Sequence, residues 1–199
     1  EQTARAAPDG YTLLYTPGFP VVVGPHLFKM PIDVAKDLEP IAPTARVASF
    51  LVVRPGLPVN SVAEFIAHAR ANPGKLNYGS GGGGSAPHLA AVMLARAAKI
   101  DITHIPYKGG GNGIVDAVSG EIEMIITGIN TAAPRVKAGQ LKTLAITGNA
   151  RSPLLPGVPT MAEAGADDFL SKPLDREQLA ARLRAAERIL GLHQEVGDL

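Results

Sequence analysis

A chain of 199 residues with 46% hydrophobic content has the length for one ordinary domain or two small lobes, and the composition of a packed globular protein. Lysine and arginine (19) nearly balance aspartate and glutamate (18), which excludes the overall field that favours nucleic acid or an anionic membrane, so a charged ligand must be recognised locally. The absence of cysteine excludes disulfides and thiolate metal sites, the 5 histidines lack the paired spacing of a zinc helix, and no apolar run approaches the roughly 20 residues that span a bilayer.

In chain order, "EQTARAAPDG" reads as the tail of a helix and a turn at Pro8-Asp9-Gly10, without the basic start and apolar core of a signal peptide. "YTLLYT" (11–16) and "SFLVVRP" (49–55) read as strands. "SVAEFIAHARANPG" is a helix that starts at Ser61, has Glu64 three residues on as a reciprocal capping box, and stops at Pro73-Gly74. Strands follow at 75–79, 102–107, 122–127 and 141–147. Helices over 85–98 and 112–120 fill two of the gaps, with apolar faces at Leu89, Val92 and Met93 and at Ile114, Val115 and Val118. Pro153, Pro156 and Pro159 mark an extended connection.

Strand and helix alternate, which predicts an α/β fold with a largely parallel sheet and a ligand beyond the carboxyl ends of the strands. The loops to weigh are therefore "TPGFP" (16–20), "GSGGGGSAPH" (79–88), "KGGGN" (108–112) and "TGINT" (127–131).

The run of four glycines before a helix has two readings. It is a flexible connection, or it turns several N–H groups toward one point at a helix N-terminus and so cradles an anion. In the second reading Gly83 and Gly84 adopt conformations or close approaches that a side chain would obstruct. Ser80 and Ser85 each add a hydroxyl donor, unless Ser85 is spent as the helix N-cap. The run lacks the Lys-Ser/Thr ending of a phosphate loop and the acidic residue of a dinucleotide fingerprint, which disfavours nucleotides. His88, in the first helical turn, either faces the ligand or packs and caps. His104, on an apolar strand, reads as a satisfied core histidine, and His26, His68 and His193 read as surface. Nothing assembles an acid, a base and a nucleophile, so no enzyme is expected.

"RAAPDGYTLL", "KDLEPIAP", "PGKLNYGSGGGGSAPHLA", "HIPYKGGG", "VSGEIEM", "VKAGQLKTLAIT" and "RSPLLPGVPTMAEAG" occur in one order over residues 1 to about 165. In this the chain resembles the tripartite tricarboxylate transporter substrate-binding proteins, or Bug-family periplasmic receptors. The resemblance implies two α/β lobes of periplasmic-binding-protein type around a cleft that captures a small carboxylate. It further implies a periplasmic location, membrane transporter subunits as partners, no cofactor, no nucleic acid and no direct membrane insertion.

Carried over residue by residue, the resemblance places Ser80, Gly81, Gly82, Gly84 and Ser85 on the ligand loop and His88 on its following helix. Thr16, Pro17 and Gly18 fall where the other lobe offers a loop to the cleft. Thr127 stands where the family commonly has an aspartate, which makes amino-acid ligands less expected, and Asn112-Gly113 replaces a common proline after the second glycine loop. The implied layout is a partial first lobe (1–50 and 144–165) and a second lobe (51–143), with the family's first strand expected before residue 1.

The tail, "GADDFLSKPLDREQLAARLRAAERILGL", resembles instead the last strand and closing helix of a response-regulator receiver. It has Lys172 before Pro173, an apolar face at Leu179, Leu183, Ala186 and Leu190, and no acceptor aspartate for a phosphoryl group. A helix over 175–190 is expected to dock on the sheet. The leading expectation is thus a carboxylate-receptor fragment with one lobe incomplete. The rival of another class is a non-functional or engineered α/β chimera.

Overall fold

A computed structural model describes residues 1–165 except 46, 47 and 149. The tail whose sequence was compared with a receiver, with Lys172-Pro173 and the helix expected over 175–190, lies outside the described residues. The described chain falls into two compact units, one of Glu1–Ala45 and one from Arg46 onward.

The first unit holds four short helices: α1 (Gln2–Arg5), α2 (Gly18–Val22), α3 (Gly24–Leu27) and α4 (Val34–Asp37). Asp33 caps α4 by accepting from the Ala35 amide at 3.2 Å. The strand expected over 11–16 does not form. Its residues carry no regular secondary structure and find no ladder partner among the described strands, and Tyr11 and Tyr15 are 92% and 80% exposed. β-branched and aromatic content favours a strand only where a neighbour supplies pairing and burial.

The second unit runs β1 (Ser49–Val53), α5 (Val62–Ala71), β2 (Asn77–Ser80), α6 (Ala86–Ala98), β3 (Thr103–Pro106), α7 (Gly110–Ser119), β4 (Met124–Gly128), α8 (Ile129–Lys137) and β5 (Lys142–Ile146). The sheet order is β3-β2-β4-β1-β5. β2 pairs in parallel with β3 and β4, whereas β1 is antiparallel to both β4 and β5. The sheet is therefore mixed rather than largely parallel. The Arg54 amide donates to Glu123 O at 3.1 Å and the Glu123 amide to Asn77 O at 3.0 Å, so β1 ends where β2 and β4 begin. The long connection through α5 leaves and re-enters the sheet at one end, which reverses β1.

Alternation along the strands divides the core into two layers. Leu51, Val53, Met124 and Ile126 pack with Phe65, Ala69, Ala91 and Leu94 of α5 and α6. Phe50, Val52 and Ile125 pack on the other face with Ile114, Ala117 and Ala132 of α7 and α8. Full burial of each large aliphatic or phenyl side chain is worth about 1.5–3 kcal/mol, so the sheet holds its helices on both faces.

α5 begins as its sequence predicts. Ser61 Oγ accepts from the Glu64 amide at 3.1 Å, while Glu64 Oε2 accepts from the Asn60 amide at 2.8 Å, one residue before the expected return partner. The buried stripe of α6 is Ala91, Leu94 and Ala98, not Leu89, Val92 and Met93, which are half-buried. That helix is apolar nearly all round, and its spacing alone does not select a face. On α7, Ile114 is buried but Val115 is 56% exposed. α8 is not foreseen from the sequence, because Pro134 lies within it.

Candidate functional site

β2, β3 and β4 share one direction, so the loops after Ser80, Pro106 and Gly128 emerge at one end of the sheet, each entering a helix of nine or more residues. The loops touch through backbone. A Cβ on Gly81 would lie 3.6 Å from Gly110 N and 3.7 Å from Gly109 Cα, and one on Gly110 would lie 2.7 Å from Thr127 Oγ1. A Cβ at 81 would make only ordinary contact, so the tight position is Gly110, where the missing side chain leaves room for Thr127, 3% exposed, at the same end of the sheet.

Inside the first loop the hydroxyls are already engaged. Ser80, fully buried, places Oγ 3.2 Å from the Gly82 amide, 3.1 Å from Gly82 O and 2.7 Å from His104 Nε2. Ser85 Oγ donates to Gly82 O at 2.8 Å and accepts from the His88 amide at 3.4 Å, so Ser85 is the N-cap of α6. The Gly84 amide donates to His88 Nδ1 at 3.0 Å. The amides of Gly81 and Gly83 take no partner among the described residues. These two donors lie in the loop that leads through the N-cap Ser85 into a 13-residue helix, whose own N-terminal N–H groups and dipole favour an anion.

Gly82 and Gly84 have φ of 121° and 71°, conformations that glycine adopts without penalty. Gly83 has neither a positive φ nor an atom within 4 Å of its would-be Cβ. The conformational demand thus falls on Gly82 and Gly84, not on Gly83 and Gly84.

His88, His104 and Tyr78 stack beside the loop. The His88 and His104 centroids are 4.1 Å apart and those of His104 and Tyr78 4.9 Å. Burial first, and the facing His104 second, pull His88 down from 6.5 to about 4, and burial lowers His104 as well. Burial also pushes Tyr78 up to about 12. At neutral pH the cluster is uncharged. His104 is half-buried at the site rather than a core histidine. Sequence alone misses this, because the parallel register that sets His104 against Tyr78 is a tertiary fact.

Of the residues singled out from sequence, Ser80, Gly81, Gly82, Gly84, Ser85, His88 and Thr127 gather at this end of the sheet. Thr16, Pro17 and Gly18 belong to the Glu1–Ala45 unit, where the Thr16 hydroxyl donates to Pro17 O at 3.2 Å and Gly18 opens α2. A groove of 590 Å³ between α7 and α8, lined by Ile114, Val115, Pro134 and Arg135 among others, is mainly apolar, and neither Gly81 nor Gly83 lines it. No group of three His, Asp or Glu among the described residues could hold a metal ion, and no described helix is long and apolar enough to cross a membrane.

Comparison with known proteins agrees with this architecture. The chain is 35% identical over 175 residues to the protein BugT of Bordetella pertussis, covering 87% of this chain and 54% of that protein. The structure of MatC from Rhodopseudomonas palustris with bound malate superposes with a TM-score of 0.75 at 30% identity, over 84% of this chain and 57% of that one. The R. palustris protein Rpa4515 with adipate gives 0.79 at 30%, over 94% and 65%. The chain thus spans between 54% and 65% of the length of these relatives, and the mixed α/β fold is that of two-lobed periplasmic binding proteins. Residues 1–173 match the family described as "Tripartite tricarboxylate transporter family receptor", and the chain belongs to that family.

Proposed function

We propose that this chain captures a small carboxylate in the periplasm and presents it to the membrane subunits of a tripartite tricarboxylate-type uptake system. The observation that carries this reading is the pair of unpartnered amides, Gly81 and Gly83, in the loop that leads into α6. Malate and adipate in two structures of similar proteins support the ligand class.

The amides bind the carboxylate, the helix dipole supports its charge, and Ser80 and Ser85 hold the loop that presents them. His88 and Thr127 border the ligand, and Thr127 in place of a carboxylate removes a partner for an ammonium group. Thr16, Pro17 and Gly18 contribute from the first lobe (1–50 and 144–165), and the second lobe is 51–143. The chain crosses between lobes near Leu51–Val53 and Leu144–Ile146, on strands that pair through Leu51 and Ala145. No catalytic step and no cofactor is part of this function.

Titration calorimetry with malate, adipate, acetate and aspartate tests it. Saturable binding of at least one dicarboxylate, tighter than aspartate, is expected. No heat from any carboxylate up to millimolar concentration contradicts the reading.

A further inference from the structure

We propose that His104 is a positioning residue that holds the glycine loop in its amide-presenting form through the Ser80 hydroxyl. The proposal rests on the reading of that loop as a carboxylate cradle, and it concerns a residue that need not touch the ligand.

A hydroxyl has one proton to give and two positions to accept. Ser80 Oγ, 3.2 Å from the Gly82 amide, accepts from that N–H. Gly82 O already accepts from Ser85 Oγ at 2.8 Å and from the Ser85 amide at 3.3 Å, which fills its two lone pairs. The Ser80 proton therefore goes to the shortest contact available, His104 Nε2 at 2.7 Å. His104 is then the Nδ1–H tautomer, and its Nε2 fixes the rotor of Ser80 so that a lone pair faces the Gly82 amide. Without that acceptor the hydroxyl swings to Gly82 O, 3.1 Å away, and competes with Ser85 for it.

The ring is itself held. His104 stacks between Tyr78 and His88, and His88 takes the Gly84 amide on Nδ1. The stacked imidazoles thus grip the loop at alternate residues, Gly82 by way of Ser80 and Gly84 directly. The amides between and before them, Gly83 and Gly81, are the ones left for a ligand. A residue whose only task was packing would not place a ring nitrogen at 2.7 Å from a fully buried hydroxyl.

The test uses two variants and one measurement on the unmodified chain. His104→Phe keeps a stacked ring without an acceptor, and His104→Gln restores an acceptor near the Nε2 position. Phe is expected to shift the Gly81–Gly84 amide resonances and weaken malate binding about ten-fold, the scale of one lost hydrogen bond, while Gln recovers most of both. Unchanged loop resonances and malate affinity in the Phe variant, or a Gln variant no better than Phe, overturn the proposal. If the unmodified protein binds none of the four carboxylates, the receptor reading fails by itself, and the loop resonances alone decide the role of His104. Should the Phe variant not fold, long-range proton–nitrogen spectra of the unmodified protein decide: an Nδ1–H tautomer supports the proposal and an Nε2–H tautomer overturns it.

Discussion

The backbone amide of Gly84 donates to Nδ1 of His88 at 3.0 Å, so this ring carries its proton on Nε2 and serves the loop as a neutral acceptor. Protonation at Nδ1 would set two donors against each other and place a charge 4.1 Å from the centre of the His104 ring. With His88 at about 4 in the folded chain against an ordinary 6.5, the unfolded chain binds the extra proton between those values. Its contribution to stability is therefore complete above about 6.5 and is lost as pH falls toward about 4, and the lowered His104 adds the same sign. The urea midpoint should fall over this window, and less steeply in His88→Gln, whose amide oxygen accepts the Gly84 N–H without titrating. Equal slopes in the two proteins would contradict the assignment.

Gly83 and Gly84 are neighbours with opposite tolerance. Gly84→Ala forces a Cβ onto φ of 71° and should cost about 1–2 kcal/mol, whereas Gly83→Ala meets open space and an ordinary φ and should be near neutral. Denaturant midpoints of the two single variants check the order.

Ser80→Ala combined with Ser85→Ala should weaken carboxylate binding more than His88→Ala does. The pair removes both hydroxyls that fix Gly82 and the N-cap of α6, a loss worth about 1 kcal/mol for the cap alone, whereas His88→Ala frees one further amide for the ligand. Calorimetric affinities in the reverse order would count against a backbone cradle.

Gly113→Ala tests the packing beneath the second loop. Its Cβ would lie 2.8 Å from Ile125 Cδ1 and 2.9 Å from Tyr107 Cδ2, and Ile125 is fully buried in the sheet. Overpacking of this kind costs about 1–3 kcal/mol, so the thermal midpoint should fall by several degrees. An unchanged midpoint would mean that α7 rides more loosely on β4 than its contacts imply.

What the sequence makes legible here is local. Ser61 and Glu64 announce a helix start because a cap is settled within four residues, and the four glycines before Ser85 announce an exposed helix N-terminus for the same reason. Residues 11–16 mislead because strand character becomes a strand only through a neighbour. α8 is hidden by Pro134, which α8 carries within its length, and β1 reverses because the connection through α5 returns to the end it left. His104 is missed at the site because only the register with Tyr78 brings its ring under Ser80. The serines are read as ligand donors, whereas the nearest acceptor of Ser85 is Gly82 O within the loop and that of Ser80 is His104 Nε2 on β3.

The central claim, that the amides of Gly81 and Gly83 take a carboxylate, is most directly tested by following proton–nitrogen amide resonances of the nitrogen-15-labelled protein at neutral pH as malate is added. The account predicts saturable downfield shifts of the Gly81 and Gly83 amide protons, larger than those of Gly82 and Gly84, whose donors are already engaged. Saturation by malate with Gly81 and Gly83 unmoved would contradict it.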